Sequence, residues 1–405
     1  MTFDNASLRF QTYDPFLQLQ TVESVWLSLQ HRSEHTYFTS WGWISVWLKS
    51  LPRETRLELI VGYLGDLPVL AFFIGKKKKN RYGVLPSEVF ALNATAVQTY
   101  DDIYAEYNSI LYDSAALKDK AEAIRCLSAL GWDEFEFSWV SSKFVQDFDL
   151  LNQERRYPFR VLEAHSAASY WTDLQKVRAA NLDLYALLSP NKRNQIRRSI
   201  KQYEANGGAL VVQEAANQAE ALSMFERLVA LHQAKWSKAG RPGAFANRYV
   251  YQFHKELIRS RFEAQEIQLL HIFNSAGSLG YLYCFVYGGQ VLFYQSGFNY
   301  LPQNVYRPGL VSHYHAIMYN ASKGRNAYDF LVGDTPYKQS FSTDIVTMYE
   351  IKLVKSACRF LIGNAAIEIK RAVQRVPGLT ERLKRIRYRI KAARSIGERR
   401  DDEIS

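Results

Sequence analysis

The chain has 405 residues, 47% of them hydrophobic and 22% charged, enough for two substantial cores and too apolar for a disordered chain. No apolar run reaches the roughly 18 residues that span a bilayer, and the start MTFDNASLRF lacks a basic region followed by an apolar one, so a cytoplasmic protein is expected. The formal charge of +11 is mostly local. Residues 365–394 hold ten basic and two acidic side chains, which leaves +3 for everything else and argues against a nucleic-acid footprint over the whole surface. Cys126, Cys284 and Cys358 are odd in number and far apart, which argues against a disulfide framework and against a structural zinc site.

In chain order, residues 8–13 read as a strand and 16–30 as a helix with Leu17, Leu19, Val22, Val25, Trp26 and Leu29 as candidate core positions. Residues 41–51 give a second helix, and strands at 57–64 and 67–75 flank the hairpin signal Gly65-Asp66. The run KKKKN at 76–80 reads as the next turn, either a solvated tip or an anion patch. Strand character returns at 81–92, a helix at 115–130 stops at Gly131, and 133–140 is another strand. Composition turns polar over 152–158, which places a domain boundary there and divides the chain into 1–155, 156–360 and a tail at 361–405.

A strand at 158–162 opens the second domain. Ser189-Pro190 supplies a cap and a first-turn proline for a helix that runs to Asn206 and stops at Gly207-Gly208. Its Arg193, Arg197 and Lys201 are four apart and share a face that can hold phosphates, an RNA backbone or only solvent. A strand at 209–214, helices at 218–237 and 247–263, and strands at 267–274, 279–287 and 290–298 follow. Then come a helix at 309–323, a strand at 328–332, a short polar segment and a last strand at 348–354.

Gly288-Gly289 makes a two-residue hairpin. Counting back from it, Tyr283 faces Tyr294, Tyr281 faces Ser296, and Cys284 faces Phe293 on the other side. The Tyr-rich side is read as the wall of a substrate cleft, its alternative being a half-exposed face. His232 and Trp236, four apart on a helix, can face the same cleft, while His313 and His315, two apart on a helix, point apart and argue against a metal pair. No metal-ligand cluster, nucleophile elbow, P-loop or dinucleotide fingerprint is present.

The stretch YDFLVGDTPYKQSFST, residues 328–343, is the most suggestive. A buried strand is stopped by Gly333-Asp334-Thr335-Pro336, so Asp329, Asp334, Tyr337 and Lys338 gather at one strand end, where open α/β sheets leave a crevice. Beyond Pro377-Gly378, Leu379, Leu383, Ile386, Ile390 and Ala393 recur as an apolar stripe among arginines and lysines. Such a helix can lie on an anionic leaflet, pack on its own domain or meet a partner helix.

Residues 328–341, the segment LHQAKW at 231–236 with AGRPGAF after it, and SPNKRNQIRR at 189–198 together resemble the acetyltransferase domain of the CelD family (BioF2-like), a branch of the GNAT-type acyltransferases of bacterial polysaccharide and cellulose production. The likeness covers residues 161–354, with an echo in FTSWGWISVWL at 38–48, and extends distantly to the Fem-type aminoacyl-transferases. It implies an α/β fold of tandem GNAT-like domains with a basic helical tail, the first copy degenerate. It implies transfer of an acyl group from acyl-CoA, a co-substrate and not a resident cofactor, to an amine or hydroxyl on a small or carbohydrate-linked acceptor. The alternatives are an aminoacyl-tRNA donor, the one nucleic-acid partner expected, or a non-catalytic accessory role in a membrane polysaccharide machine.

By the same resemblance the pyrophosphate turn is QNVYRPGLVSH at 303–313, where Arg307, Gly309 and Leu310 meet phosphate; the family has two spaced glycines and this chain only Gly309. Arg193 and Arg197 are the reserve phosphate ligands. Tyr337 is the expected acid for the departing thiolate, Asp334 the base or its orienter, Lys338 the holder of an acceptor or phosphate oxygen, and His232 an accessory catalytic group. Tyr281, Tyr283, Tyr294, Trp236 and Asp329 are expected to bind acceptor, no metal is expected, and the tail is expected to touch the inner face of the membrane.

Overall fold

The computed structural model describes residues 8–81, 85–117, 120–151 and 157–375. The first half comprises β1 (Arg9–Tyr13), α1 (Leu19–Gln30), α2 (Trp41–Ser50), β2 (Leu57–Leu64), β3 (Leu67–Arg81) and β4 (Leu85–Leu92). The short α3 (Gln98–Asp101) and β5 (Leu111–Tyr112), then α4 (Ala121–Ala129), β6 (Glu134–Ser141) and α5 (Ser142–Asp147) complete it. Next in the chain is β7 (Arg160–Asp173), which follows β6 in the first strand plan and leads into the second half with α6 (Leu174–Ala179), α7 (Pro190–Gly207), β8 (Val211–Glu214), α8 (Gln218–Lys238) and α9 (Arg248–Arg261). It continues with β9 (Ile267–Asn274), β10 (Gly277–Tyr287), β11 (Gln290–Phe298), α10 (Pro308–Ser322), β12 (Ala327–Val332), α11 (Pro336–Phe341), β13 (Asp344–Val354) and α12 (Ala357–Arg375).

Local chemistry explains many of these boundaries. Ser189 accepts from the Lys192 N–H ahead of Pro190, and α7 stops at Gly208, whose φ of +69° favours glycine. The Asp14 carboxylate accepts the Phe16 and Leu17 N–H groups, so the chain turns before α1 and Leu17 is left 84% exposed instead of joining the core. The lysine run also departs from expectation. Residues 76–80 continue β3 instead of turning, because facing carboxylates accept the charge: Lys76 meets Glu58 at 2.5 Å, Lys79 meets Glu136 at 3.3 Å, and Arg81 meets Glu134 at 2.6 Å. The 155/156 boundary and the apolar stripe from Leu379 onward lie outside the described residues.

All the strands join one sheet in the order β1-β2-β3-β4-β6-β13-β7-β12-β11-β10-β9-β8, with β5 beside β3. Each half repeats one plan. An antiparallel meander (β2-β3-β4, or β9-β10-β11) is followed by a parallel neighbour, β6 beside β4 and β12 beside β11. The next strand of each half then crosses over: β13 pairs with β6 of the first half and β7 pairs with β12 of the second. β7 and β13 in turn pair with each other from Arg160↔Val354 to Trp171↔Asp344, so the two halves close each other's sheets.

Two apolar clusters fill the separate halves, and a third joins α1 and α2 to α8 and α9. Trp43 of α2 packs its ring 4.9 Å from Phe253 of α9 and 5.7 Å from Phe285 of β10.

The seam also buries charge. Glu106, from the loop after α3, accepts the Val332 N–H at 2.6 Å. Asp329 of β12 accepts from Tyr107 Oη at 2.6 Å and Ser169 Oγ at 3.1 Å. Burial pushes the Glu106 carboxyl up to about 8, against the opposing pull of the Val332 N–H and the Lys338 ammonium, and pushes Asp329 up as well.

Two measurements check this seam. Trp43→Ala is expected to cost about 3–5 kcal/mol, the range for emptying an aromatic core site, read from equilibrium urea denaturation. For Glu106, a raised folded value means that its contribution is full below its ordinary pKa near 4.3 and is lost as pH rises toward 8. The urea midpoint should therefore fall between pH 5 and 8 by less in Glu106→Gln than in the parent. An equal fall would show that Glu106 ionises there as an ordinary carboxylate.

Candidate active site

Strands β11 and β12 run parallel for only three pairs, ending at Leu292↔Asp329, and then diverge. Helix α10 crosses from one to the other, and its first turn opens onto the gap. A cavity of about 690 Å³ lies there, walled by α10, the end of β11, α7 and α11. Its charged lining residues are Lys192, Lys235 and Arg307, with no carboxylate among the described lining residues. The remaining polar groups are amides, a serine, phenols and an imidazole.

The start of α10 is a natural anion cradle. Arg307 is its N-cap, Pro308 has no N–H, and the first intrahelical donor is Val311, bonded to the Arg307 carbonyl, so the Gly309 and Leu310 N–H groups lie in the turn that helix geometry leaves unpaired. A Cβ at Gly309 would meet Phe298 at 3.2 Å, which accounts for glycine at that point. Arg307 donates one bond to Gln195 Oε1 at 3.0 Å, and its backbone N–H donates to Ser199 Oγ at 3.0 Å, which ties α10 to α7. Partial burial, then the Arg307 charge, holds the Lys192 ammonium below its usual value. Like charges held together in this way favour an anionic occupant.

Tyr337, on α11, lines the inner end and stacks on His313 of α10, ring centroids 5.1 Å apart. Burial pushes its phenol well above the ordinary value, so Tyr337 carries its proton throughout the physiological range. Arg307, Gly309, Leu310 and Tyr337 thus meet in one cavity.

The other expected residues lie elsewhere. Lys338 turns away from Tyr337, because successive residues of a helix point about 100° apart. Its ammonium donates to the Leu331 and Val332 carbonyls at 3.1 and 2.8 Å and faces Glu106 and Asp329. Asp334 accepts from Tyr170 Oη at 3.2 Å, outside the cavity lining. Asp334, Tyr337 and Lys338 therefore do not converge, and Asp329 belongs to the seam. Arg193 bonds the Leu188 carbonyl and Arg197 stacks over Tyr185 at 4.6 Å. The helical phase brings Lys192, one residue earlier, to the cavity instead.

The tyrosine face of β10 is core, not a cleft wall. Tyr281 and Tyr283 are 3% and 0% exposed beneath α8 and α9, with Tyr283 near His254 Nδ1 and Tyr294 donating to the Ile103 carbonyl at 2.6 Å. A bulge at Tyr283/Cys284 keeps Cys284 opposite Phe293 but moves Tyr283 opposite Gln295 and Tyr281 opposite Gly297. His232 is held by the Ser296 carbonyl at 3.1 Å and the Ala244 N–H at 3.3 Å, so both ring nitrogens are engaged structurally. Trp236 packs 6.1 Å from that ring, and its neighbour Lys235 is the one that reaches the cavity. The quoted motifs contain Lys192, Lys235 and His313 without marking them; the phase of their helices brings them to the cavity, and Tyr300 reaches it from the loop after β11.

Residues 190–339 match the family model described as an acetyltransferase (GNAT) domain. No curated protein matches the chain. Among solved structures, FemX is similar in fold at 9% identity, with a TM-score of 0.53 over 84% of this chain and 98% of that one. A conserved protein of unknown function from Bacteroides thetaiotaomicron aligns at 10% identity and TM-score 0.47, over 85% of this chain and 100% of that one. L-PGS from Bacillus licheniformis aligns at 9% identity and TM-score 0.47, over 87% and 97%. The fold is α/β with two GNAT-like copies in tandem, the second of which carries the matched domain.

Proposed function

We propose that the second half transfers an acyl group from acyl-CoA to an amine or hydroxyl acceptor. The observation that carries this reading is the three-cation, carboxylate-free cavity at the α10 N-terminus, which ends on a protonated tyrosine between two diverging strands. A nucleotide-diphosphate donor suits its mouth: Arg307, Lys192 and the first-turn N–H groups meet the phosphates. A pantetheine-like arm suits the interior, where Phe298, Leu310 and Pro336 give apolar walls.

In this reading the acceptor N–H or O–H attacks the thioester carbon, the carbonyl oxygen takes the electron pair, and collapse breaks the C–S bond. Tyr337 gives its proton to the departing thiolate, and the acceptor proton leaves to solvent or to a base that then returns one to the phenol. Asp334, through Tyr170, and Lys338, through the Leu331 and Val332 carbonyls, hold the turn and strand end that aim Tyr337. The likeness to CelD-type sequences supports an acceptor from bacterial extracellular polysaccharide or the cell envelope. The FemX-like fold supports a second reading, an aminoacyl-tRNA donor, which a steep salt dependence of tRNA binding would favour.

Two variants test the first reading. Arg307→Ala is expected to weaken coenzyme A binding by about 1.5–3 kcal/mol, the range for a charge-assisted hydrogen bond, and equal calorimetric affinity would place the phosphates elsewhere. Tyr337→Phe should melt like the parent while release of thiol from acetyl-CoA, assayed with a panel of amines and sugars, drops about a hundred- to ten-thousandfold. Near-parental release by this variant would remove Tyr337 from the chemistry.

A further inference from the structure

His313 is the one imidazole in the cavity, and its two nitrogens are treated differently. It sits in the second turn of α10, 1% exposed, with Phe293 at 4.5 Å, Phe330 at 5.2 Å and Tyr337 at 5.1 Å around its ring. Nδ1 faces the core and meets Tyr328 Oη at 3.1 Å. Nε2 is buried without a protein partner, although leaving a buried polar atom unpaired is costly. His232 and His254, the other buried histidines, have polar partners on their ring nitrogens, and His315, whose Nε2 is also unpartnered, lies outside the cavity lining. An imidazole kept where a phenyl ring fits, with one nitrogen unsatisfied and the residue lining a ligand-sized cavity, points to a ligand atom as the missing partner.

The hydrogen on Nε2 follows from the groups behind it. Tyr328 Oη meets His313 Nδ1, Cys284 lies beside the phenol, and all three residues are fully buried. The phenol has one hydrogen to give. An imidazole nitrogen is a strong acceptor and thiol sulfur a weak one, so the phenol donates to Nδ1. Nδ1 is then the acceptor nitrogen, and Nε2 carries the N–H. Burial, then the nearby Lys338 charge, pulls the imidazole down to about 3, so it stays neutral at physiological pH. The ring is thus a neutral donor held by Tyr328, beside the phenol that faces the leaving sulfur.

We propose that His313 is a catalytic residue whose Nε2–H donates to the carbonyl oxygen of the acyl thioester, with Tyr328 as the positioning residue that fixes its tautomer. This rests on the acyl-transfer reading above and adds an assignment for the oxygen on which negative charge develops. His313 keeps its proton throughout: the acceptor–carbon bond forms, the oxygen takes up and releases the electron pair, and the C–S bond breaks. Donors of this kind act because they already point at the oxygen when the charge appears.

His313→Phe fills the same aromatic site and removes the unpaired nitrogen, so the variant should melt at or above the parental temperature and bind coenzyme A within about threefold. Its rate of thiol release from acetyl-CoA should fall roughly a hundred- to a thousandfold, the cost of losing one such donor. Tyr328→Phe should retain part of the rate, and nitrogen NMR of the free parent protein should find the Nε2–H tautomer of His313, giving way to a mixture in Tyr328→Phe. A His313→Phe enzyme that turns over at the parental rate overturns the proposal, as does an Nδ1–H tautomer in the parent. A parent that binds no acyl-CoA and releases no thiol fails at the acyl-transfer reading itself, and the proposal falls with it.

Discussion

The central constraint is the exchange of β7 and β13. Backbone N–H and C=O groups taken out of water need partners, and a parallel pair that separates after three residues gives up the bonds that its strands would otherwise share. Strand β12 diverges from β11 after Asp329, and its other edge bonds to β7, at Asp329↔Trp171 and again at Val332↔Ser169. Strand β7 is itself held along nearly its whole length by β13. The gap that receives α10 and the cavity therefore stands on a ladder shared by both halves.

The same exchange explains why the first half matters to a site in the second. Glu106 and Tyr107 lie in the first half, yet they bond the Val332 N–H and the Asp329 carboxylate at the strand end that leads to Tyr337. Leu331, between them, has a φ of +59°, a costly conformation for a branched side chain, and its N–H is held by Asp329 Oδ1 at 2.7 Å. Lys338 closes the arrangement from the other side through two backbone carbonyls. The first copy thus braces the strand end that leads to Tyr337.

Charge is separated with similar economy. The carboxyl groups of Glu106 and Asp329 sit behind β12 with the Lys338 ammonium, while the cavity lining carries three cations and, among its described residues, no anion. The two environments are divided by one strand and a helical turn, so Tyr337 and Lys338, adjacent in sequence, serve opposite sides.

Periodicity and punctuation alone determined most elements. Strands β2, β9 and β11 agree to the residue with the reading from alternation and turn signals, and α7 and α8 agree to within a residue, because caps, prolines and glycines act locally. Arg307, Gly309 and Tyr337 came from the family resemblance, and the fold brings all three to one cavity. What only the tertiary structure decided depends on partners far away in the chain. The lysine run became strand because Glu58, Glu134 and Glu136 face it. The tyrosines of β10 became core because α8 and α9 cover them, and Tyr283 changed register because a bulge leaves no mark in an alternating run. Which of Lys192 and Arg193 meets the cavity, and which of Tyr337 and Lys338 does, turns on about 100° of helical phase relative to a gap, and that gap exists only once β7 and β13 have crossed.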